Sequence, residues 1–148
     1  MLSDSETNGK TLDHEREALH LRLGATPNAS SELRRTLRGW LESVGASDQE
    51  SFDVTLACSE AFANAVSRSA GRAASIVEID ASVDTRRVLT VIVRTHARPG
   101  SERSVEETRV FLRLMEALME SAEARARSDG VTLVLRKRLG VRQALRIA

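Results

Sequence analysis

Glu60 and Asn64 stand four residues apart in the run Leu56-Ala57-Cys58-Ser59-Glu60-Ala61-Phe62-Ala63-Asn64-Ala65-Val66. Four residues are a little more than one helical turn, so the two side chains would lie about 40° apart around the axis. A carboxylate so held can take a proton from a hydroxyl, and a carboxamide oxygen can ligate a hard cation such as magnesium. Taken alone, an i,i+4 polar pair is equally the solvated flank of an amphipathic helix. The other candidates are weaker. His96 lies in a loop beside Pro99, where simple exposure is the plainer reading than acid or base work. His14 and His20 are isolated from other metal ligands, and no Cys/His cluster has zinc spacing. Cys58, the single cysteine, falls within an apolar helical pattern and is expected to be a buried, reduced thiol.

The elements that must position the pair can be read from periodicity. Ala18 to Leu23 alternates apolar and polar residues, as a half-buried strand does. Pro27 to Glu32 supplies breaker and cap residues for a helix whose Leu33, Leu37, Trp40, Leu41 and Val44 recur at helical spacing, with Gly45 at its stop. Ser47 or Asp48 caps a second helix, which carries Glu60 and Asn64. Its buried stripe is expected to comprise Phe52, Thr55, Leu56, Ser59, Phe62, Ala63 and Val66, ending near Gly71. Two β-rich runs, Ile76 to Val83 and Val88 to Val93, flank the turn Asp84-Thr85-Arg86 and form an antiparallel hairpin. A loop, 96–104, precedes a helix from Val105 to Met119 with Val110, Phe111, Leu114, Met115 and Leu118 on its apolar face. Residues 120–127 and 131–135 then pair about Ser128-Asp129-Gly130, since Asp-Gly is a strong turn signal.

Strands in antiparallel pairs with segregated helices predict an α+β class: a single-domain sandwich whose mainly antiparallel sheet carries its helices on one face. The expected organisation is a mobile polar arm over 1–16, a domain over 17–139 and a basic tail over 140–148, short helix or disordered. A hydrophobic share of 41% and a charged share of 29% suit a globular chain. No eighteen-residue apolar run could span a membrane, and the N-terminus lacks the pattern of a secretion signal, so a cytoplasmic protein is expected. A net charge of +1 and only four aromatic residues, none of them tyrosine, argue against a nucleic-acid binder. Charge is nevertheless uneven: residues 1–17 carry five acidic against two basic side chains, and residues 120–148 carry seven basic against three acidic.

The order of elements together with Leu56 through Val66 resembles the anti-sigma-factor serine kinases, small relatives of the histidine-kinase-type ATPases. The second helix of that family reads roughly Leu-Ala-x-Ser-Glu-Ala-x-x-Asn-Ala-Val. The resemblance runs from about residue 18 to 139 and includes Val88 to Arg94, the Leu114-Met115-x-Ala117-Leu118-Met119 run and Asp129 to Arg136. It implies a histidine-kinase-like ATPase fold, with Glu60 as the general base acting on a protein serine. Asn64 would be the cofactor-binding residue, ligating the magnesium that bridges the phosphates of ATP. It also implies a sigma factor, an anti-anti-sigma antagonist or both as partners, and a homodimer.

The rest of the family's site departs from its pattern. Where the family has Asp-x-Gly-x-Gly after the central strand, this chain has Thr95-His96-Ala97-Arg98-Pro99. Thr95 offers no carboxylate to an adenine amino group. Where the family has Gly-x-Gly-Leu-x-Leu-Met, Arg109 and Phe111 replace the glycines that let backbone amides approach phosphate. A phenylalanine there is expected to fill space that phosphate would occupy, while Arg109 is expected on the exposed side of its helix beside Glu106 and Arg113. The expectation is therefore a regulator with no cofactor, its ATP binding lost or impaired and its protein serine/threonine kinase activity gone. The alternative is a divergent ATP-dependent serine kinase that phosphorylates an anti-anti-sigma antagonist and still uses Mg-ATP.

Overall fold

The computed structural model describes residues 18–68, 75–96 and 105–143, with the backbone alone at 105 and 106. The expected arm over 1–16, His14, the stop at Gly71, Ala97 and Pro99, the Glu106 side chain and the end of the basic tail lie outside the described residues.

Strand β1 (Ala18–Gly24) leads through a turn into helices α1 (Ala29–Ser43) and α2 (Asp48–Arg68). The hairpin β2 (Ile76–Val83) and β3 (Val88–Thr95) follows, then α3 (Val105–Met119) and the hairpin β4 (Ser121–Arg127) and β5 (Gly130–Arg138). The strands form one sheet in the order β1-β2-β3-β5-β4, antiparallel throughout. The expected α+β architecture is thus the one observed. The register sets Ile79 beside Val93, and Val93 beside Leu133, on the face that packs the helices. On the opposite face His20 faces Asp80 across β1 and β2. His20 Nδ1 lies 2.6 Å from Asp80 Oδ1, and Arg94 reaches the other oxygen of that carboxylate at 2.5 Å. Burial alone would raise the pKa of Asp80, but hydrogen bonds from His20 and Arg94, with their charge, hold it below the ordinary value.

Helix α1 buries Leu33, Leu37, Trp40 and Leu41, the stripe its sequence period implies. It stops where Gly45 takes a φ of 78°, a left-handed conformation that costs glycine nothing. Asn28 precedes the helix without a side-chain cap. Helix α2 begins with a reciprocal cap: Glu50 N–H donates to Ser47 Oγ at 3.1 Å, and Ser47 N–H donates to Glu50 Oε1 at 2.8 Å.

Two expected helix faces are corrected. The buried face of α2 comprises Val54, Thr55, Ala57, Cys58, Ala61, Phe62 and Ala65, whereas Phe52 is 61% exposed and Ala63 lies in solvent. The alanines at 57, 61 and 65 recur every fourth residue and let the helix lie close to its neighbours, with Phe62 buried between them and Phe52, in the first turn, left outside that face. Among the described side chains of α3 the fully buried ones are Met115 and Met119, with Phe111, Leu112 and Leu118 packed beside them. Val110 and Leu114 are exposed, because α3 meets the core along a single narrow stripe.

Beyond β5 the chain is not helical as far as Gln143. It is strapped across the α1–α2 turn. Gly140 N–H donates to Glu50 Oε2 at 2.7 Å, Arg142 to Ser43 O at 2.9 Å and Gln143 N–H to Gly45 O at 2.8 Å. Arg87, in the β2–β3 turn at φ 65°, donates to Val44 O, Gly45 O and Gly140 O. Among the described residues no helix is long and apolar enough to cross a membrane.

Candidate functional site

Helices α2 and α3 do not close fully onto the β3–β5–β4 half of the sheet, and a cavity of about 210 Å³ remains between them. Helix α2 contributes Ala61, Asn64 and Arg68, and α3 contributes Thr108 and Phe111. The floor is Val93 and Thr95 of β3, Val131 and Leu133 of β5, and Ala124 and Ala126 of β4. The cavity exists because β4 presents alanine at alternate positions: a strand sends every second side chain to one face, and here each is a methyl group. Ala124 and Ala126 remain solvent-accessible, so the space can be reached from outside.

Asn64 sits where the helix turns toward this space. Its Oδ1 is buried and makes no hydrogen bond. A buried amide oxygen without a donor costs about 1–3 kcal/mol. Glu60, one turn earlier, is exposed and does not line the cavity. The two residues therefore share a helix flank as expected, but only Asn64 enters the pocket. Arg68 continues the same i,i+4 ridge and does line it. That extension was present in the spacing Glu60, Asn64, Arg68 and would have found the third residue.

Thr95 is on the cavity wall, 8% exposed, at the end of β3. Among the described residues that line the cavity none bears a carboxylate. Elsewhere among the described residues no group of three or more His, Cys, Asp or Glu could hold a metal ion. Phe111 is half-buried and forms part of the wall, so its ring borders the space without filling it. Arg109 is exposed and lies outside the lining, as does Arg113. His96 is exposed at the end of β3, with Nε2 3.4 Å from Glu78 Oε1 on the far side of the sheet. Cys58 lies fully buried in α2, where burial pushes its thiol up to about 12, so it stays protonated and inert at neutral pH.

The profile of the histidine kinase-like ATPase domain matches residues 23–137. A solved structure of the RsbU and RsbW domains of Rv1364c from Mycobacterium tuberculosis superposes with a TM-score of 0.68 at 27% identity. The match covers 86% of this chain and 34% of that one, so this chain spans about a third of its length. No curated protein matches the chain.

Proposed function

Because the chain belongs to the histidine kinase-like ATPase domain family, we infer that it is a protein-interaction regulator of the anti-sigma type with its ATP site impaired. It would act in the cytoplasm by binding a sigma factor, a small anti-anti-sigma antagonist, or both in competition. The similarity to a structure that includes an RsbW domain supports the coarse part of this reading. The observation that carries the finer part is the composition of the cavity. Magnesium-ATP fits these residues poorly. Thr95 stands where the family uses a carboxylate to receive adenine, Phe111 borders the pocket, and about 210 Å³ is below the roughly 300 Å³ at which small-molecule sites begin. Without nucleotide control, the choice of partner follows affinity and concentration alone.

Isothermal titration of the full chain with magnesium-ATP tests the impaired site: no saturable heat is expected, and micromolar binding overturns it. A parallel titration with a sigma factor and an antagonist protein encoded beside it tests the partners; failure of both to bind removes the regulatory reading.

One observation favours a second reading, a serine kinase that still works. Asn64 Oδ1 is buried and unpartnered, and the family resemblance gives that atom to magnesium. Phosphate transfer from magnesium-ATP to an antagonist serine, abolished in Glu60→Gln, would establish this reading in place of the first.

A further inference from the structure

We propose that Asp13, Glu15 and Glu17 dock within their own chain on a basic row at one end of the open sheet face, where Arg136 and Arg138 receive their carboxylates. This contact is independent of whether nucleotide binds beside Asn64.

The strand pairing builds the row. On the face away from the helices it aligns Ala18 of β1, Ser82 of β2, Thr90 of β3, Arg136 of β5 and Ser121 of β4. Arg138 lies two residues beyond Arg136, on the same face and opposite Val88. The row is thus a track of methyl and hydroxyl groups that leads from the start of β1 to two exposed arginines.

Those arginines are uncompensated. Among the described residues neither Arg136 nor Arg138 makes an ion pair. The carboxylates at this end of the sheet are engaged with backbone. Glu120 Oε1 accepts from Arg138 N–H at 3.0 Å, and Asp84 Oδ1 accepts from Arg86 N–H at 2.8 Å and Val88 N–H at 2.9 Å. The next row along the strands is His20, Asp80, Ile92, Val134 and Glu123. Its two carboxylates repel an acidic segment from the middle of the face and confine it to the end row.

The occupant follows from the sequence that leads into this row. The five residues before Ala18 are Asp13-His14-Glu15-Arg16-Glu17, with a carboxylate at every second position. Alternate residues of an extended segment point to one side, so all three acids can face the sheet together. Residues 1–17 carry five acidic side chains against two basic in a chain whose net charge is +1, so the surplus of positive charge lies elsewhere.

Reach decides the rest. Three strand spacings of about 4.8 Å, about 14 Å in all, separate Ala18 from Arg136. Five extended residues span about 17 Å, which brings Asp13 to the arginines. A tether this short sets an effective concentration of about a millimolar, which favours the same chain over a second copy.

Paramagnetic broadening in the full ¹⁵N-labelled chain is the test. Cys58 is buried and inert, so Thr11→Cys takes a nitroxide alone. Broadening is expected at Ser121, Arg136 and Arg138, and not at Arg35 and Arg38, the exposed arginines of α1 on the other side of the sheet. It should be lost in 1 M salt, where the screening length is about 3 Å. It should also be lost when Asp13→Asn, Glu15→Gln and Glu17→Gln are combined.

Equal broadening of α1 and β5 overturns the proposal, as does broadening that survives high salt or the combined variant. Broadening that persists in Arg136→Gln with Arg138→Gln, both on the exposed face, would move the contact elsewhere and overturn it too. A mixture of nitroxide-bearing chains with ¹⁵N-labelled, nitroxide-free chains should show none; broadening there assigns the acids to a second copy and overturns docking within the chain. None of these outcomes bears on the magnesium-ATP titration.

Discussion

Replacing Asn64 by leucine should make the folded chain more stable. The Oδ1 of Asn64 is buried without a donor, and relieving such a group returns about 1–3 kcal/mol. Leucine also favours a helix interior over asparagine by a few tenths of a kcal/mol. Against this stand about 0.5–1 kcal/mol for fixing the longer side chain and its greater bulk, which the adjoining 210 Å³ can take without displacing neighbours. The balance is about 1–2 kcal/mol in favour of Asn64→Leu. For a chain of this length that corresponds to a rise in Tm of roughly 3–6 °C. Urea unfolding followed by far-UV circular dichroism measures it, with an unchanged m-value required for the comparison. A variant of equal or lower stability would mean that the amide oxygen is satisfied in solution. The cost assigned to its missing donor would then be wrong.

Three further outcomes follow from the geometry. Glu50→Gln keeps the shape of the side chain but leaves Ser47 N–H or Gly140 N–H without its carboxylate acceptor, and should cost about 1–2 kcal/mol near pH 7. Burial alone would raise the pKa of Glu50, but bonds from Ser47 and Gly140 and the charge of Arg87 bring it below its ordinary 4.5. A lowered pKa contributes stability that is present above pH 4.5 and lost as pH falls through the folded value, so the gap between wild type and Glu50→Gln should narrow progressively in denaturant titrations run at falling pH below 4.5. A gap independent of pH would refute the role given to the charge. Gly130→Ala puts a Cβ into the carbonyl oxygen of Thr95 at φ 156°, and calorimetry should register a loss of about 2–3 kcal/mol with shifted amides around the cavity. Cys58 should resist a thiol reagent at neutral pH and react in full once denaturant unfolds the chain; prompt labelling of the native protein would contradict its burial.

What the sequence carried and what it withheld follow from the range of each interaction. Leu33, Leu37 and Leu41 recur at a helical period on a helix with one buried side, so their burial was legible. The phase of α2 was not, because it packs on more than one side, and Ala57, Ala61 and Ala65 outweigh Phe52 through closeness of approach and not through hydrophobicity. The capping box of Ser47 and Glu50 could be read locally, whereas the second bond from Glu50, to Gly140 ninety residues on, could not. At the cavity, Thr95 and Phe111 could be identified as departures from the family pattern. Whether Phe111 fills the space or borders it depends on its rotamer and on the alanines of β4, which no local rule connects to it.

The position of β5 bears on how the chain is made. It is the last in sequence of the described strands, yet it lies between β3 and β4, and neither of those meets the other. During synthesis β1, β2 and β3 can assemble into a three-stranded meander as they leave the ribosome. That meander ends in an open, hydrogen-bond-hungry edge at β3, and β4 emerges with no strand to join. Only when residues 130–138 are free does one insertion cap the β3 edge, recruit β4 and close the floor of the cavity. The fold is therefore expected to lock after translation of this segment and not progressively, with the β3 edge the place where an interrupted chain would aggregate.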